Sequence, residues 1–275
     1  MSMTTEGSIP DGVHANVPAE EYHRHELGVA SNTSLKLIRR SPAHYKAWVD
    51  GELEIPETAA LRFGRAFHCA LLEPDRFEAA YPESPKFNRR TKMGKAEYEA
   101  WTEQFPDAMP ADDLATIRAM VAAVKRHPLA SQMIRDGQPE LTLSWKDAET
   151  GLKCKSRLDY YVRELAMIVD AKSTEDASWE EFRKDVARYG YHVQDALYRS
   201  AASALDMPVQ HFVLLAVEKS PPYAVAPYTL DAAGIGRGYA VARRDMDTLA
   251  HCLKTNRWPG YPETITELDL PPWAA

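Results

Sequence analysis

The stretch LKCKSRLDYYVRELAMIVDAKS, residues 152–173, decides the fold, because it contains two consecutive runs of β-forming residues with charged side chains at matching places. Asp159 stands in the first run, and Asp170 and Lys172 stand in the second. Successive side chains of a strand point to opposite faces, so Asp170 and Lys172 share a face, and Asp159 reaches the same spot if the strands are paired neighbours. Two carboxylates and an ammonium on one sheet edge form a metal-plus-base arrangement of the kind that cuts phosphodiesters.

The hydrophobic period of the chain changes near residue 140. Before it, apolar residues recur at helical spacing and capping residues or prolines mark helix ends. After it, alternating or apolar runs predict strands. We predict helices at 31–50 (with a break at Ser41-Pro42), 57–73, 95–104 and 111–126, a loop at 82–94, strands at 141–145, 152–162 and 165–173, a long helix at 176–205, strands at 211–219 and 223–230, and a final helix at 231–256.

This order of elements predicts an α/β fold in which helices flank a mixed central sheet. Residues 1–30 are interpreted as a flexible lead-in, and residues 31–275 as a single domain. Within that domain we distinguish an N-terminal helical part, residues 31–130, from a catalytic sheet-helix core, residues 138–256.

The composition is that of an ordinary soluble globular chain, with 45% hydrophobic and 27% charged residues among 275. Three widely spaced cysteines without a CxxC pair argue against a zinc ribbon, a disulfide framework or an iron–sulfur cluster, and fit a reducing cytosol. No apolar run is long enough to span a bilayer and the N-terminus lacks a signal-peptide pattern, so we expect a cytoplasmic protein with no membrane partner.

The net charge of −7 gives no general footprint for nucleic acid, but one local run of five cations contains no acid. This run contacts DNA phosphates or is a solvated loop. It comprises Lys86, Arg89, Arg90, Lys92 and Lys95.

Phosphodiester hydrolysis needs charge neutralisation and an activated water, and a divalent cation supplies both. Mg²⁺ prefers oxygen ligands and is typically held by one or two carboxylates, a requirement that Asp159 and Asp170 fit. Lys172 could orient or deprotonate the water, or stabilise the transition state. The alternative is a plain salt bridge at the strand ends. Against it, Asp170 interrupts a strand otherwise suited to burial, where an unpartnered carboxylate is costly.

Motifs around this stretch resemble the PD-(D/E)XK nuclease superfamily, and within it the RecB-like group that includes the RecE-type exonuclease (exodeoxyribonuclease VIII) of phages and prophages. The resemblance spans about residues 20–205, including the opening EYHRHELGVASNTSLKLIRRSPAHYKAW. Asp170 stands where the superfamily often has Glu. The matching marks are Gly64-x-x-x-His68, Glu140, Asp159, Asp170-x-Lys172 and Gln194-x-x-x-Tyr198.

The resemblance implies a restriction-endonuclease-like fold and a Mg²⁺ site, with Mn²⁺ as a second option. Asp159 and Asp170 would bind the metal, His68 would be a further ligand, and Glu140 would support the metal or its waters. Lys172 would be the catalytic lysine. Gln194 and Tyr198 would position the DNA strand at the active site.

The same resemblance implies an exonuclease that degrades one strand of a duplex end from 5′ to 3′. The 3′ overhang would serve recombination through a single-strand annealing protein in the cytoplasm of a bacterial host, and such relatives close into homo-oligomeric rings. A structure- or sequence-specific endonuclease on the same fold, or a catalytically silent DNA-binding protein, stays open as an alternative. The intact Asp159, Asp170 and Lys172 speak against the silent protein.

Individual residues also have structural alternatives. His68 lies in an apolar helix, where a lone histidine is usually a hydrogen-bonded core residue, and Glu140 could simply mark the start of a strand. Gln194 and Tyr198 face one way on a helix, with Tyr191, which we expect to contact DNA, one turn earlier. Alternatively, Tyr198 is a core residue and Gln194 a surface residue. Lys155 and Arg157 alternate on the strand before Asp159 and either contact DNA phosphate or form a solvated face.

Overall fold

The computed structural model describes residues 8–270, which form a seven-stranded sheet with helices on both faces. The strands are β1 (Gly12–His14), β2 (Val29–Ala30), β3 (Gln138–Lys146), β4 (Lys153–Val162), β5 (Met167–Thr174), β6 (His211–Glu218) and β7 (Val225–Tyr228). Their order is β1-β3-β4-β5-β6-β7, and β2 pairs with β4. The β5–β6 and β2–β4 pairs are parallel and the others are antiparallel, so the predicted mixed sheet is confirmed.

The helices begin and end at the capping residues that the sequence provides. Ser31 accepts a hydrogen bond from the Ser34 N–H in a capping box, and Ser41 followed by Pro42 separates the first two long helices as predicted. The helices are α1 (Ala19–Tyr22), α2 (Asn32–Arg40), α3 (Pro42–Val49), α4 (Ala59–Leu72), α5 (Pro74–Ala80), α6 (Lys92–Gln104), α7 (Ala111–Arg126), α8 (Ala130–Met133), α9 (Trp179–Tyr189), α10 (Tyr191–Ala204) and α11 (Ala232–Thr255).

The sheet buries both of its faces, because alternate residues of the central strands enter two separate cores. On β6, Phe212 and Leu214 enter one core while Val213 and Leu215 enter the other. The first core contains residues of α2, α3, α10 and α11, and the second contains residues of α4, α5 and α7. The site described below therefore receives side chains from helices on both sides of the sheet.

The predicted long helix at 176–205 is wrong in one respect, because two helices, α9 and α10, occupy this range. Gly190 separates them with a left-handed backbone (φ 73°, ψ 33°), a conformation that glycine adopts without strain. The break redirects the chain, and α10 begins at Tyr191 with a new axis. The helical spacing of apolar residues continues across Gly190, so the sequence pattern predicted one helix instead of two.

The interpretation of residues 1–30 as a flexible lead-in does not hold for the part that the structure describes. Residues of β1 pair antiparallel with β3, and β2 pairs parallel with β4. Two- and three-residue strands carry almost no sequence signal, since their pairing partners lie more than a hundred residues away. Residues 1–7 lie outside the described residues.

Two further expectations concern cysteines and membranes. Cys69, Cys154 and Cys252 are buried free thiols. Within residues 8–270, no helix combines the length and apolar content that crossing a bilayer requires.

Candidate active site

The two aspartates lie at a fork between adjacent strands. Strands β4 and β5 pair over Tyr160–Val162 and Met167–Val169, and beyond these pairs β4 continues beside β3 while β5 continues beside β6. Asp159 and Asp170 are the next residues along each strand, where the strands separate. The Ala171 N–H donates to Asp159 Oδ2 at 3.1 Å, which holds that carboxylate across the fork. The prediction that the two strands are paired neighbours is confirmed.

Both carboxylates are buried, and burial sets their proton affinity. The Asp170 side chain is fully buried and Asp159 is 9% exposed. Burial raises the pKa of Asp170 to about 6, the charge of Lys172 opposes this, and the charge of Asp159 adds to it. Burial likewise raises the pKa of Asp159, against the lowering effect of Lys172. Two buried carboxylates this close are costly unless a cation neutralises them.

Lys172 is the cation that the structure itself supplies. Its Nζ forms an ion pair with Asp170 Oδ2, and it lies 4.9 Å from the centre of the Tyr191 ring. Burial alone would lower the pKa of Lys172, but the charges of Asp170 and Asp159 raise it above its usual range. In this state Lys172 is charged, so it can stabilise negative charge but cannot accept a proton.

Helix α10 holds Asp170 in place. Gln194 Nε2 donates to Asp170 Oδ1 at 2.7 Å and also lies 2.9 Å from the Tyr198 hydroxyl oxygen. All three side chains are buried. Gln194 thus positions the carboxylate directly, Tyr198 contacts Gln194, and the Tyr191 ring lies against Lys172. Contact of Tyr191, Gln194 and Tyr198 with a DNA strand is a separate role, and it stays a prediction.

His68 reaches the fork from α4 on the opposite face of the sheet. Its Nε2 lies 2.6 Å from the Ala171 carbonyl oxygen, an acceptor, so Nε2 carries the proton. Burial, followed by the charge of Lys172, lowers the pKa of His68 to about 4, so the ring is neutral at pH 7. Its unprotonated Nδ1 then lies 3.4 Å from Asp159 Oδ2.

The unprotonated His68 Nδ1 and the Asp159 Oδ2, 3.4 Å apart, both carry lone pairs, and this arrangement favours a cation between them. Metal-bound histidines usually donate their other ring N–H to a backbone carbonyl, as His68 does. The donor set of carboxylate oxygens and one imidazole nitrogen fits Mg²⁺ or Mn²⁺, the nitrogen favouring Mn²⁺. In the described part of the chain no three His, Cys, Asp or Glu side chains are gathered closely enough to form a metal cluster, and Lys172 pairs with Asp170. A metal ion would therefore compete with Lys172 for that carboxylate.

Glu140 is the strained residue of the site. It stands between Pro139, which pairs with Tyr160, and Leu141, which pairs with Leu158, so its register position is opposite Asp159. Its φ of 50° is left-handed, and it makes no ladder pair of its own. Such a conformation costs about 1–3 kcal/mol in a residue other than glycine. Burial, with the charge of Asp159 next, raises the pKa of Glu140 to about 7, so this carboxyl can exchange a proton at neutral pH.

Replacing Glu140 with glycine should lower activity without lowering the stability of the fold. Glycine adopts the left-handed conformation without strain, so we expect the free energy of unfolding to be unchanged or to rise by up to about 1 kcal/mol. Loss of the carboxyl should lower metal affinity or turnover by about 10- to 100-fold. Urea unfolding and DNA digestion measure the two effects. Ala166→Gly is the matched control, because Ala166 is also left-handed (φ 44°) but contributes no side chain to the site. Wild-type activity in Glu140→Gly would show that Glu140 takes no part in metal binding or catalysis.

Lys155 and Arg157 both have partners within the protein, and their predicted contacts with DNA stay a prediction. Lys155 is buried, and its Nζ donates to Glu26 Oε1 at 3.0 Å and to the Arg24 carbonyl at 3.1 Å. Arg157 Nη2 donates to the Val17 carbonyl at 2.8 Å, and its guanidinium lies 4.2 Å from the Tyr22 ring centre. The segment before α2 thus occupies both cations, and neither forms a solvated face. Arg89 and Arg90 are exposed in the loop before α6 and have no described contact with the two aspartates.

Lys36, an exposed residue of α2, lies near the site although its place there was not predicted from the sequence. Partial removal from water lowers its pKa, and the charges of Lys172 and Arg39 lower it further, which places Lys36 within electrostatic reach of the site. Arg39, one turn later, donates to Asp245 Oδ2 at 2.8 Å and anchors α2 to α11. The sequence signal was the cation-rich run Lys36, Arg39 and Arg40, but its proximity to Lys172 depends on long-range packing.

Comparisons with known proteins identify the family and the fold of this chain. A family model described as a PDDEXK-like domain of unknown function (DUF3799) matches residues 31–271. The fold is similar to the crystal structure of "Putative exonuclease" from Eubacterium rectale, with a TM-score of 0.58 and 15% identity over 96% of this chain and 97% of that chain. The structure of SSO0001 covers 79% of this chain and 84% of its own at 14% identity, with a TM-score of 0.30, which is too low to indicate a shared fold. No curated protein matches the sequence.

Proposed function

The chain belongs to the family of PDDEXK-like domains of unknown function (DUF3799), so it is a member of the PD-(D/E)XK nuclease superfamily with a restriction-endonuclease-like fold, and we propose that it is a metal-dependent exodeoxyribonuclease acting on double-stranded DNA ends. The observation that carries this proposal is the fork, where the unprotonated Nδ1 of His68 faces Asp159 and Lys172 pairs with the neighbouring Asp170. A silent relative that only bound DNA would not need two buried carboxylates and a charged lysine held together at this cost.

The residues of the fork divide the chemistry among them. A bound divalent cation would neutralise the phosphate and lower the pKa of a water molecule, with Asp159, Asp170 and His68 as the residues that would hold it. Lys172, charged and fixed beside Asp170, stabilises negative charge that develops on the phosphate. Glu140, with a pKa near 7, takes a proton at neutral pH. Gln194 keeps Asp170 oriented through its hydrogen bond, and Tyr198 keeps Gln194 in place.

The finer parts of the proposal follow from the resemblance to RecE-type exonucleases. We propose 5′ to 3′ degradation, with 3′ overhangs passed to a single-strand annealing protein during recombination in a bacterial or phage context. We also propose a homo-oligomeric ring around the DNA and Mg²⁺ as the resident ion, with Mn²⁺ as the substitute that the histidine ligand favours. We further propose that residues 31–275 form a single nuclease domain.

Digestion of linear and covalently closed circular DNA tests the proposal. With Mg²⁺ or Mn²⁺ present, linear duplex DNA should be degraded progressively while the closed circle survives, because an exonuclease needs an end. Duplexes labelled separately at their 5′ and 3′ ends report the direction, and loss of the 5′ label first is expected. Cutting of the circle would replace the exonuclease by the endonuclease alternative, and an absence of cutting with either metal would contradict both.

A further inference from the structure

Residues 84–108 form a long loop that contains one helix, and the two ends of this loop lie side by side. The Ser84 N–H donates to the Met109 carbonyl at 2.8 Å, and the Met109 N–H donates to the Pro82 carbonyl at 2.9 Å. Glu83 and Met109 form an isolated parallel bridge that closes the stem. We call residues 84–108 the excursion. It contains α6, against which no other helix or strand among residues 8–270 packs extensively.

Contacts within the excursion support its shape. Trp101 stacks at a tilt on Phe105 with ring centres 4.4 Å apart, and Phe87 lies 5.7 Å from the ring of Tyr98. The loop before α6 passes so close to the helix that a Cβ at Gly94 would lie 2.2 Å from the Asn88 carbonyl oxygen, hence glycine at that position. The excursion therefore keeps its conformation with little help from the two main cores.

Charge is segregated along the excursion. The first half has five cations and no acid, and the second half, from Ala96, has four acids and no cation. Arg89 lies over the Tyr98 ring at 4.2 Å, while the other four cations form no ion pair among the described residues. The cations are Lys86, Arg89, Arg90, Lys92 and Lys95, and the acids are Glu97, Glu99, Glu103 and Asp107.

The direction of this segregation opposes helix stability. Lys92 and Lys95 lie at the start of α6, where the helix dipole is positive, and Glu99 and Glu103 lie towards its end, where the dipole is negative. A helix selected for stability alone would have the reverse pattern. The arrangement instead concentrates positive potential in one exposed place, where the dipole and the lysines add.

The stem of the excursion is tied to the helix that enters the site. Asp107 Oδ1 accepts a hydrogen bond from Arg65 Nη2 at 3.0 Å. Arg65 lies on α4 one turn before His68, so the base of the excursion is beside the active-site helix. The excursion is thus attached at the side of the site while its basic half remains solvent-exposed.

From this charge, exposure and attachment we propose that the basic half of the excursion binds backbone phosphates of duplex DNA beyond the bond being cut. This inference rests on the proposed nuclease function and extends the predicted contacts of Arg89 and Arg90 to a whole surface. The proposed ligand is DNA because these cations, which lie in the loop before α6 and in its first turn, form no ion pairs within the described part of the chain and can face the regularly spaced phosphates of a DNA backbone. Binding there would act on substrate capture and leave the chemical step unaffected.

A four-site variant, Lys86→Gln, Arg90→Gln, Lys92→Gln and Lys95→Gln, tests this surface while leaving Arg89 on Tyr98. Duplex affinity is measured by fluorescence anisotropy in Ca²⁺ over a range of salt, and kcat and KM are measured on a linear duplex in Mg²⁺ or Mn²⁺. We expect the slope of log affinity against log salt to shrink by up to about 3.6, or about 0.9 for each lost phosphate contact. KM should rise on the order of tenfold with kcat at saturation unchanged.

The control variant Glu97→Gln, Glu99→Gln and Glu103→Gln changes charge in the same helix without removing a cation, and its salt slope should not shrink. A four-site variant with the salt slope and KM of the wild type overturns the inference and leaves the nuclease proposal standing. A wild-type protein that neither binds nor cuts duplex DNA overturns both. A four-site variant with lower kcat but unchanged KM also contradicts the inference, because it would place these cations in the chemical step.

Discussion

Replacing Lys172 with methionine should lower kcat by about 10²- to 10³-fold or more, the loss that follows removal of one preorganised group that stabilises transition-state charge. The effect should fall on kcat, since Lys172 is 13% exposed and packed between Asp170 and Tyr191, where it reaches only a phosphate inserted into the fork. Lys172→Arg should not restore activity, because a planar guanidinium cannot replace a compact ammonium in this buried position.

Nucleotide release from a linear duplex at saturating concentration measures this prediction, with duplex affinity in Ca²⁺ as the second reading. Affinity should persist in Lys172→Met, which distinguishes a lost chemical step from a misfolded protein. Lys184→Met is the matched control, since Lys184 forms an exposed ion pair with Glu181 on α9. Turnover at the wild-type level in Lys172→Met would exclude Lys172 from the mechanism.

The second large effect is thermal stabilisation by divalent metal. A cation that binds only the folded state at 100 times its Kd contributes about 2.7 kcal/mol, which shifts Tm on the order of 5–10 °C in a chain of this size. Asp159→Asn should lose this shift together with turnover. In EDTA the same variant should unfold at or above the wild-type temperature, because it removes one of two buried like charges while the asparagine oxygen can still accept the Ala171 N–H.

Differential scanning fluorimetry with EDTA, Mg²⁺ and Mn²⁺ measures both parts of this prediction. Asp50→Asn serves as the control, because Asp50 is an exposed partner of Lys46 and should keep the full metal-dependent shift. A shift in Asp159→Asn equal to that of the wild type would mean that the metal binds elsewhere. A large loss of stability in EDTA would show that Asp159 is a structural residue.

The parts of this molecule that are visible in sequence are those whose pattern is local. Strands β4 and β5 and the cap of α2 could be predicted, because alternation and capping residues act over a few positions. The convergence of Asp159, Asp170 and Lys172 followed from strand geometry once the two strands were assumed to pair. The predicted roles of His68 and Gln194 came from a family resemblance and not from periodicity.

The parts that were missed depend on partners remote in sequence. Burial of Lys155 requires Glu26, which lies 129 residues away, so an alternating strand could not reveal it. The left-handed conformation of Glu140 reflects its position opposite Asp159, and nothing in the letters Gln-Pro-Glu-Leu indicates a positive φ. Lys36 likewise meets the site only when α2 packs beside α10.

The central position of β5 has a consequence for how the molecule opens and changes. Over Met167–Val169 it is paired with β4 on one side and β6 on the other, so we expect these amides to be among those that exchange only on global unfolding. We expect the excursion, which is held by few contacts with the rest of the protein, to open at lower free energy. If the proposals hold, catalysis and DNA binding lie in separate cooperative units, and we expect substitutions in residues 84–108 to change DNA binding without destabilising the strands that carry the carboxylates.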